Sequence, residues 1–246
     1  MRAAFPRAKG SPTQGRVASG TNCSRATFAA GSFALEDMMA IDDDVLRTLK
    51  PEPLNAISAR VRNGDIFLCS GNDPFSRLIG WATKSPWTHV ALAFRWPHLH
   101  RIMIFEAVVH QGVRTVTLDR FISQSSTGEK PYPGKILLAR HEDYADKGGE
   151  PGGAPMQRLA DAAVDCFGDG FALGEILRIA GRICLGRASA KTPKFLTRRH
   201  EFICSEFAAA CFQAVGIEIE WDGRGFIAPA DFAADPKVKA IAQVKT

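Results

Sequence analysis

Cys204 stands in the stretch Glu201-Phe202-Ile203-Cys204-Ser205-Glu206-Phe207-Ala208-Ala209-Ala210-Cys211-Phe212, and its position there could do chemistry. Phe207, Ala208, Cys211, Phe212 and Val215 recur at helical spacing and Gly216 follows where a helix would stop. Cys204 then falls in the first turn, where unpaired backbone N–H groups and the helix dipole favour negative charge. A thiolate is the nucleophilic form of cysteine, and such a place favours it. The alternative reading of Cys204 is a small buried hydrophobe.

A cysteine nucleophile needs a base, usually histidine, and the histidine needs a third group to orient it. His89 opens an otherwise apolar strand, Val90-Ala91-Leu92-Ala93-Phe94, directly after the loop Thr83-Lys84-Ser85-Pro86-Trp87. That place suits general base work, although a core histidine bonded to backbone would look the same. Glu106 interrupts a second apolar strand, Ile102-Met103-Ile104-Phe105-Glu106-Ala107-Val108-Val109. A carboxylate in such a run is costly unless paired; an edge-exposed glutamate is the other reading. If Trp96-Pro97-His98-Leu99-His100 closes a hairpin, Glu106 comes within about one position of facing His89. The other histidines are expected at the surface or are uninformative: His98, His100 and His141 in or beside loops, His110 at a strand end, His200 in a basic loop. His98-x-His100 lacks a third ligand, so no metal site and no cofactor is expected.

The elements that must position these groups follow from hydrophobic period and turn signals. Helices are expected over 41–50, 74–82, 156–167, about 171–183 and from Cys204 onward. Strands are expected over 65–69, 88–94, 101–109, 113–118, 135–140 and 217–221. Residues 1–37, rich in Gly, Ser, Ala, Thr and Arg, read as a disordered leader. Residues 38–60 read as a short helix and a Pro-containing linker, and 61–246 as one catalytic domain. Strands come first and helices later, an order that fits an α+β fold.

Composition excludes several classes. The net charge of +5 is spread along the chain rather than concentrated, so no nucleic-acid partner is expected. Cys23, Cys69, Cys166, Cys184, Cys204 and Cys211 contain no C-x-x-C pair and do not form a disulfide framework. Their pattern fits a reducing compartment. No apolar run is long enough to span a membrane, and no apolar segment follows the basic N-terminus as in a signal peptide. The expected location is cytoplasmic.

Four segments in order resemble a known group: Gly64-Asp65-Ile66-Phe67, Ser85-Pro86-Trp87-Thr88-His89-Val90-Ala91-Leu92, Phe105-Glu106-Ala107 and Phe202-Ile203-Cys204-Ser205-Glu206-Phe207. Together they resemble the permuted papain-like amidases of the YaeF/YiiX group, within the circularly permuted NlpC-type clan. The resemblance runs from about residue 61 to about 235 and includes Pro229-Ala230-Asp231. It implies a small antiparallel sheet with the cysteine helix packed on it, Cys204 as nucleophile, His89 as base and Glu106 as orienting residue. It also implies hydrolysis of an amide or ester, with a small molecule or peptide as partner, peptidoglycan fragments among them. Lipid acyltransfer or thioester hydrolysis, and a catalytically idle binding module, are the rival readings. Relatives carry a tyrosine before the cysteine helix that assists the oxyanion. Here Phe167 and Phe171 stand in that region, and the only tyrosines are Tyr132 and Tyr144. The backbone N–H of Cys204 is the first oxyanion donor.

Overall fold

The computed structural model describes residues 41, 43–124, 132–146, 153–172, 174, 201–221 and 226–246. In chain order the elements begin with α1 (Asp43–Thr48), β1 (Pro51–Glu52), α2 (Leu54–Arg60), β2 (Asp65–Cys69) and α3 (Pro74–Thr83). The strands β3 (His89–Trp96), β4 (Arg101–Val108) and β5 (Gly112–Thr117) follow, then α4 (Leu118–Ser123), β6 (Ile136–His141), α5 (Glu142–Asp146) and α6 (Ala154–Asp165). Two short strands, β7 (Gly170–Phe171) and β8 (Glu201–Phe202), precede α7 (Cys204–Gln213), α8 (Pro229–Ala234) and β9 (Val238–Val244).

Seven strands form one sheet in the order β1-β9-β6-β2-β3-β4-β5. Within that sheet β1–β9 pair in parallel and the other neighbours run antiparallel, while β7 and β8 form a separate parallel pair. The architecture is mixed helix and sheet, as the order of elements predicts. The centre of the sheet is β2, buried at every position, as a strand covered on both faces must be. Side-chain alternation divides its residues between two cores. Ile66 and Leu68 join Leu92, Phe207 and Phe212 on the face carrying α7. Phe67 and Cys69 join Ala91, Ile104 and Phe121 on the face carrying α4.

The hairpin expected at residues 96–100 is present, closed by one turn of 3-10 helix, Pro97–Leu99, with His100 left-handed at φ 50°. Three expectations change. Residues 38–60 are more than a helix and linker: α2 forms there, β1 pairs with β9, and Ile41, Leu46 and Ile57 enter the cores. Residues 217–221 are not a strand; their alternation reflects burial of Ile217 and Ile219 by side-chain packing, without a ladder. His141 is buried rather than exposed, stacked 5.6 Å from Phe212 and 3.8 Å from the Asp235 carboxylate. The leader at 1–37 and the basic loop at 186–200 lie outside the described residues. So does the expected helix at 171–183, apart from Phe171 in β7 and Ala172 and Gly174.

Asp65 fixes the start of β2. Its Oδ1 accepts from Arg140 Nε at 2.7 Å, and its Oδ2 accepts from Arg140 Nη2 at 2.9 Å and from the Arg62 backbone N–H at 2.7 Å. Burial nevertheless holds its carboxyl above the usual carboxylate range, so desolvation outweighs these partners. Removing one partner of a buried pair strands the other charge and typically costs several kcal/mol. Arg140→Met is therefore expected to lower unfolding stability by about 3 kcal/mol in urea melts, with the slope unchanged. A loss below about 1 kcal/mol would show that Asp65 is kept neutral and needs no cation.

Candidate active site

The loop before β3 sets the position of His89. Trp87 is fully buried and anchors the loop, and its backbone N–H donates to Ser85 Oγ at 3.2 Å. Thr88 donates its backbone N–H to the Cys69 carbonyl at 2.9 Å, and its Oγ1 accepts from the Gly71 N–H at 2.8 Å. β3 then enters the sheet with His89 opposite Cys69 on β2.

On the other side, β3 pairs with β4 from Leu92 opposite Phe105 to Trp96 opposite Arg101. One further step along that register brings Glu106 opposite Ala91. Glu106 is thus a diagonal neighbour of His89 on the same face, two positions away rather than the one expected. The side chains still meet: His89 Nε2 and Glu106 Oε2 are 2.8 Å apart. Nε2 is committed to the carboxylate, and the charge of the nearby Cys204 sulfur acts on the same imidazole.

Cys204 comes from the opposite face. It is the first residue of α7, after Ile203 in extended conformation. Nearly the whole helix is buried: Ser205, Phe207, Ala208, Ala209, Cys211 and Phe212 have little or no exposure. Ser205 Oγ donates to the Ile227 carbonyl at 2.7 Å and ties the first turn to the segment before α8. That segment is closed by Asp231, whose Oδ2 accepts from the Ala228 N–H at 2.6 Å. Asp231 thus bonds back to the N-cap from the third helical position and is not itself the expected cap residue. Glu206 likewise turns back, its Oε2 3.4 Å from the Ile203 N–H, and so does not face the cysteine. His89 is the first residue of its strand, so its ring reaches the end of the sheet where the first turn of α7 arrives.

The sequence reading missed Arg114. It is paired with Glu106 across the β4–β5 hairpin. Its Nε and Nη2 donate to Glu106 Oε1 at 3.0 and 2.7 Å, and its Nη1 donates to Gln111 Oε1. The signal was available: Glu106 and Arg114 each lie four residues from His110, the centre of the turn over residues 109–111. Gly112 has φ +66°, and a Cβ there would come 2.0 Å from the Asp169 carbonyl. Tyr132 also lines the site and shares a hydrogen bond with the Cys69 thiol, whereas Tyr144 lies against Gly64.

Charge and burial separate these groups. Burial opposes ionisation of Glu106, yet the bond from His89 and the charges of His89 and Arg114 win and hold its carboxyl below the usual range. Burial likewise opposes charge on His89, but the Cys204 sulfur and the Glu106 carboxylate raise it to about 10. The remaining described cysteines are suppressed by burial, which raises Cys69 and Cys211 and takes Cys166 to about 11. A cavity of about 560 Å³ opens onto Cys204, His89 and Glu106. All three residues singled out from the sequence therefore meet at one cavity.

No family matches the chain in a scan of family profiles, and no curated protein matches it in sequence. Among solved structures, it is similar to one described as the metalloprotein YiiX from Escherichia coli O157:H7, of DUF1105. The TM-score is 0.51 at 18% identity, covering 75% of this chain and 98% of the YiiX chain. The likeness is one of fold. The side chains of the site do not suit a metal ion: His89 and Glu106 are bonded in series, and the second carboxylate oxygen is held by a guanidinium. Among the described residues no three His, Cys, Asp or Glu side chains group to hold one. Among those residues, too, no helix is long and apolar enough to cross a membrane.

Two titrations follow from the pair. Replacing Glu106 with Gln removes a charge that raises His89, so the imidazole pKa is expected to fall from about 10 by a unit or more, read by NMR titration. An unmoved value would mean that the pair does not form. The raised His89 contributes stability that is present below its unfolded value near 6.5 and lost as pH rises through about 10. The depressed Glu106 contributes stability present above its ordinary value of 4.5 and lost as pH falls. The stability difference between wild type and Glu106→Gln should therefore be greatest between about 4.5 and 6.5, decline as pH rises from there toward about 10, and decline as pH falls below 4.5, in urea melts across that range.

Proposed function

We propose that this protein is a cysteine hydrolase that cleaves an amide or ester by acyl transfer. The observation that carries the reading is that one imidazole, His89, has Glu106 on its Nε2 and is also acted on by the Cys204 sulfur, all three at one cavity. Three further features support it: the helix N-terminus at Cys204, burial that suppresses the other described cysteines, and a cavity open to the site. The fold likeness to YiiX supports placing the chain with the permuted papain-like amidases of the YaeF/YiiX group.

In this reading His89 as imidazolium and Cys204 as thiolate form the resting pair. The sulfur attacks the substrate carbonyl; a C–S bond forms and the negative charge moves to oxygen. The Cys204 backbone N–H and the helix dipole meet that oxyanion. As the carbonyl reforms, the C–N or C–O bond breaks and His89 gives its proton to the leaving amine or alcohol. His89, now neutral, takes a proton from water, whose hydroxide attacks the thioester. The acid leaves and the thiolate is restored. Glu106 holds the ring in the productive tautomer and stabilises its charge; Arg114 keeps Glu106 ionised and aimed.

The test is a screen of purified protein against peptidoglycan fragments, amino-acid amides and acyl lipids, with Cys204→Ala as the control. On the substrate found, Glu106→Gln is expected to fold normally by circular dichroism and to lose on the order of 10²-fold in kcat. Glu201→Gln and Glu206→Gln should lose far less. Full activity in Glu106→Gln would place the orienting group elsewhere. Limited iodoacetamide treatment near neutral pH should label Cys204 before Cys69, Cys166 or Cys211 in peptide mass maps; labelling of Cys69 or Cys211 first would contradict the assignment.

A further inference from the structure

We propose that the cavity beside Cys204 takes an amphipathic substrate, with an aliphatic chain against Phe75, Ile79 and Phe171 and a carboxylate on the guanidinium of Arg120. The proposal deepens the hydrolase reading by naming the substrate class, and it rests on that reading only for what happens at the reacting carbonyl.

The cavity of about 560 Å³ is large enough for a ligand of some tens of heavy atoms. One wall is apolar: Phe75 and Phe171 meet edge to face with centroids 6.0 Å apart, and Ile79 lies with them in the lining. Such a wall favours hydrocarbon. The lining also carries Gln111, Arg114, Arg120 and Gln124, from β5, α4 and the residues that flank them.

Nearly every ionised group of the lining is already engaged. Asp73 accepts from the Phe75 and Ser76 N–H groups at 3.0 Å and from Ser76 Oγ at 2.5 Å, as the cap of α3. Glu106 is shared by His89 and Arg114, and Arg114 spends its donors on Glu106 and Gln111. Arg120 is different. α4 buries Leu118, Phe121 and Ile122, and Arg120 is exposed at the cavity rim with no ion-pair partner among the described residues. A guanidinium presents a planar fork of donors that matches a carboxylate, and Gln124, the extended residue that ends α4, also lines the cavity. An apolar wall together with a cation that has no ion-pair partner among the described residues describes a site for an amphipathic acid. A guanidinium this exposed is screened by water, so its preference for an anion over a neutral isostere should be about 3- to 10-fold.

Octanoate and octanamide test this, since they share one chain and differ in charge. Each is added to the full-length protein, and the concentration that halves iodoacetamide labelling of Cys204 is measured. Octanoate is expected to protect at about 3- to 10-fold lower concentration than octanamide. Arg120→Gln should raise the octanoate value to that of octanamide and leave the octanamide value in place; Arg120→Lys should keep part of the preference. Chemical-shift titration of the α4 amides with the same two compounds gives the comparison without a reactive thiol. Equal binding of the two compounds to wild type, or an unchanged preference in Arg120→Gln, would overturn the proposal. A charge preference that depends on Arg120, in a protein that hydrolyses no amide or ester, would instead keep the cavity assignment and sink the hydrolase reading.

Discussion

A carboxylate closed off from water and held between two cations is the constraint on which the rest depends. Glu106 has almost no exposure, and an uncompensated ion in that position would cost several kcal/mol. His89 takes one of its oxygens and Arg114 the other. Together they hold the carboxyl below its ordinary range despite burial. The three residues lie on three successive strands, β3, β4 and β5, and share one face. The pairing of those strands thus determines whether the buried charge is tolerable, and a one-residue slip would turn Glu106 toward the other core.

The two faces of the sheet divide the work. The face carrying α4 holds Glu106, Arg114, Cys69 and Tyr132, a polar assembly set against the aromatic and aliphatic packing of Phe67 and Phe121. The face carrying α7 holds the larger core, in which Phe207 and Phe212 fix the helix. His89 belongs to the end of the sheet, where the two meet. In the proposed mechanism the nucleophile is positioned by apolar packing and its partners by electrostatics, so the two parts can be perturbed separately.

Much of this was legible because it is local. The apolar run after His89, the Pro97 connection and the run ending at Glu106 describe one hairpin, and hairpin closure limits the distance between its members. The start of α7 was legible from the spacing of Phe207, Cys211 and Val215 and from the Gly216 stop. What stayed hidden needed pairing between distant segments. Arg114 required knowing that β5 returns antiparallel about His110. β9 was not read as a strand, yet it runs between β1 and β6 and gives residues 50–60 their place in the domain. His141 ends β6 beside a predicted loop, and only the arrival of Phe212 from α7 and Asp235 from the segment after α8 buries it.

The central claim is that the three side chains act as one acyl-transfer unit, and an activated ester tests it without knowledge of the natural substrate. Full-length protein mixed with p-nitrophenyl acetate and quenched in acid should show a burst of p-nitrophenol and an acetyl group on the Cys204 peptide. His89→Ala should lose the burst. An acetyl group on Cys69 or Cys166 in place of Cys204, or an equal burst without His89, would contradict the account.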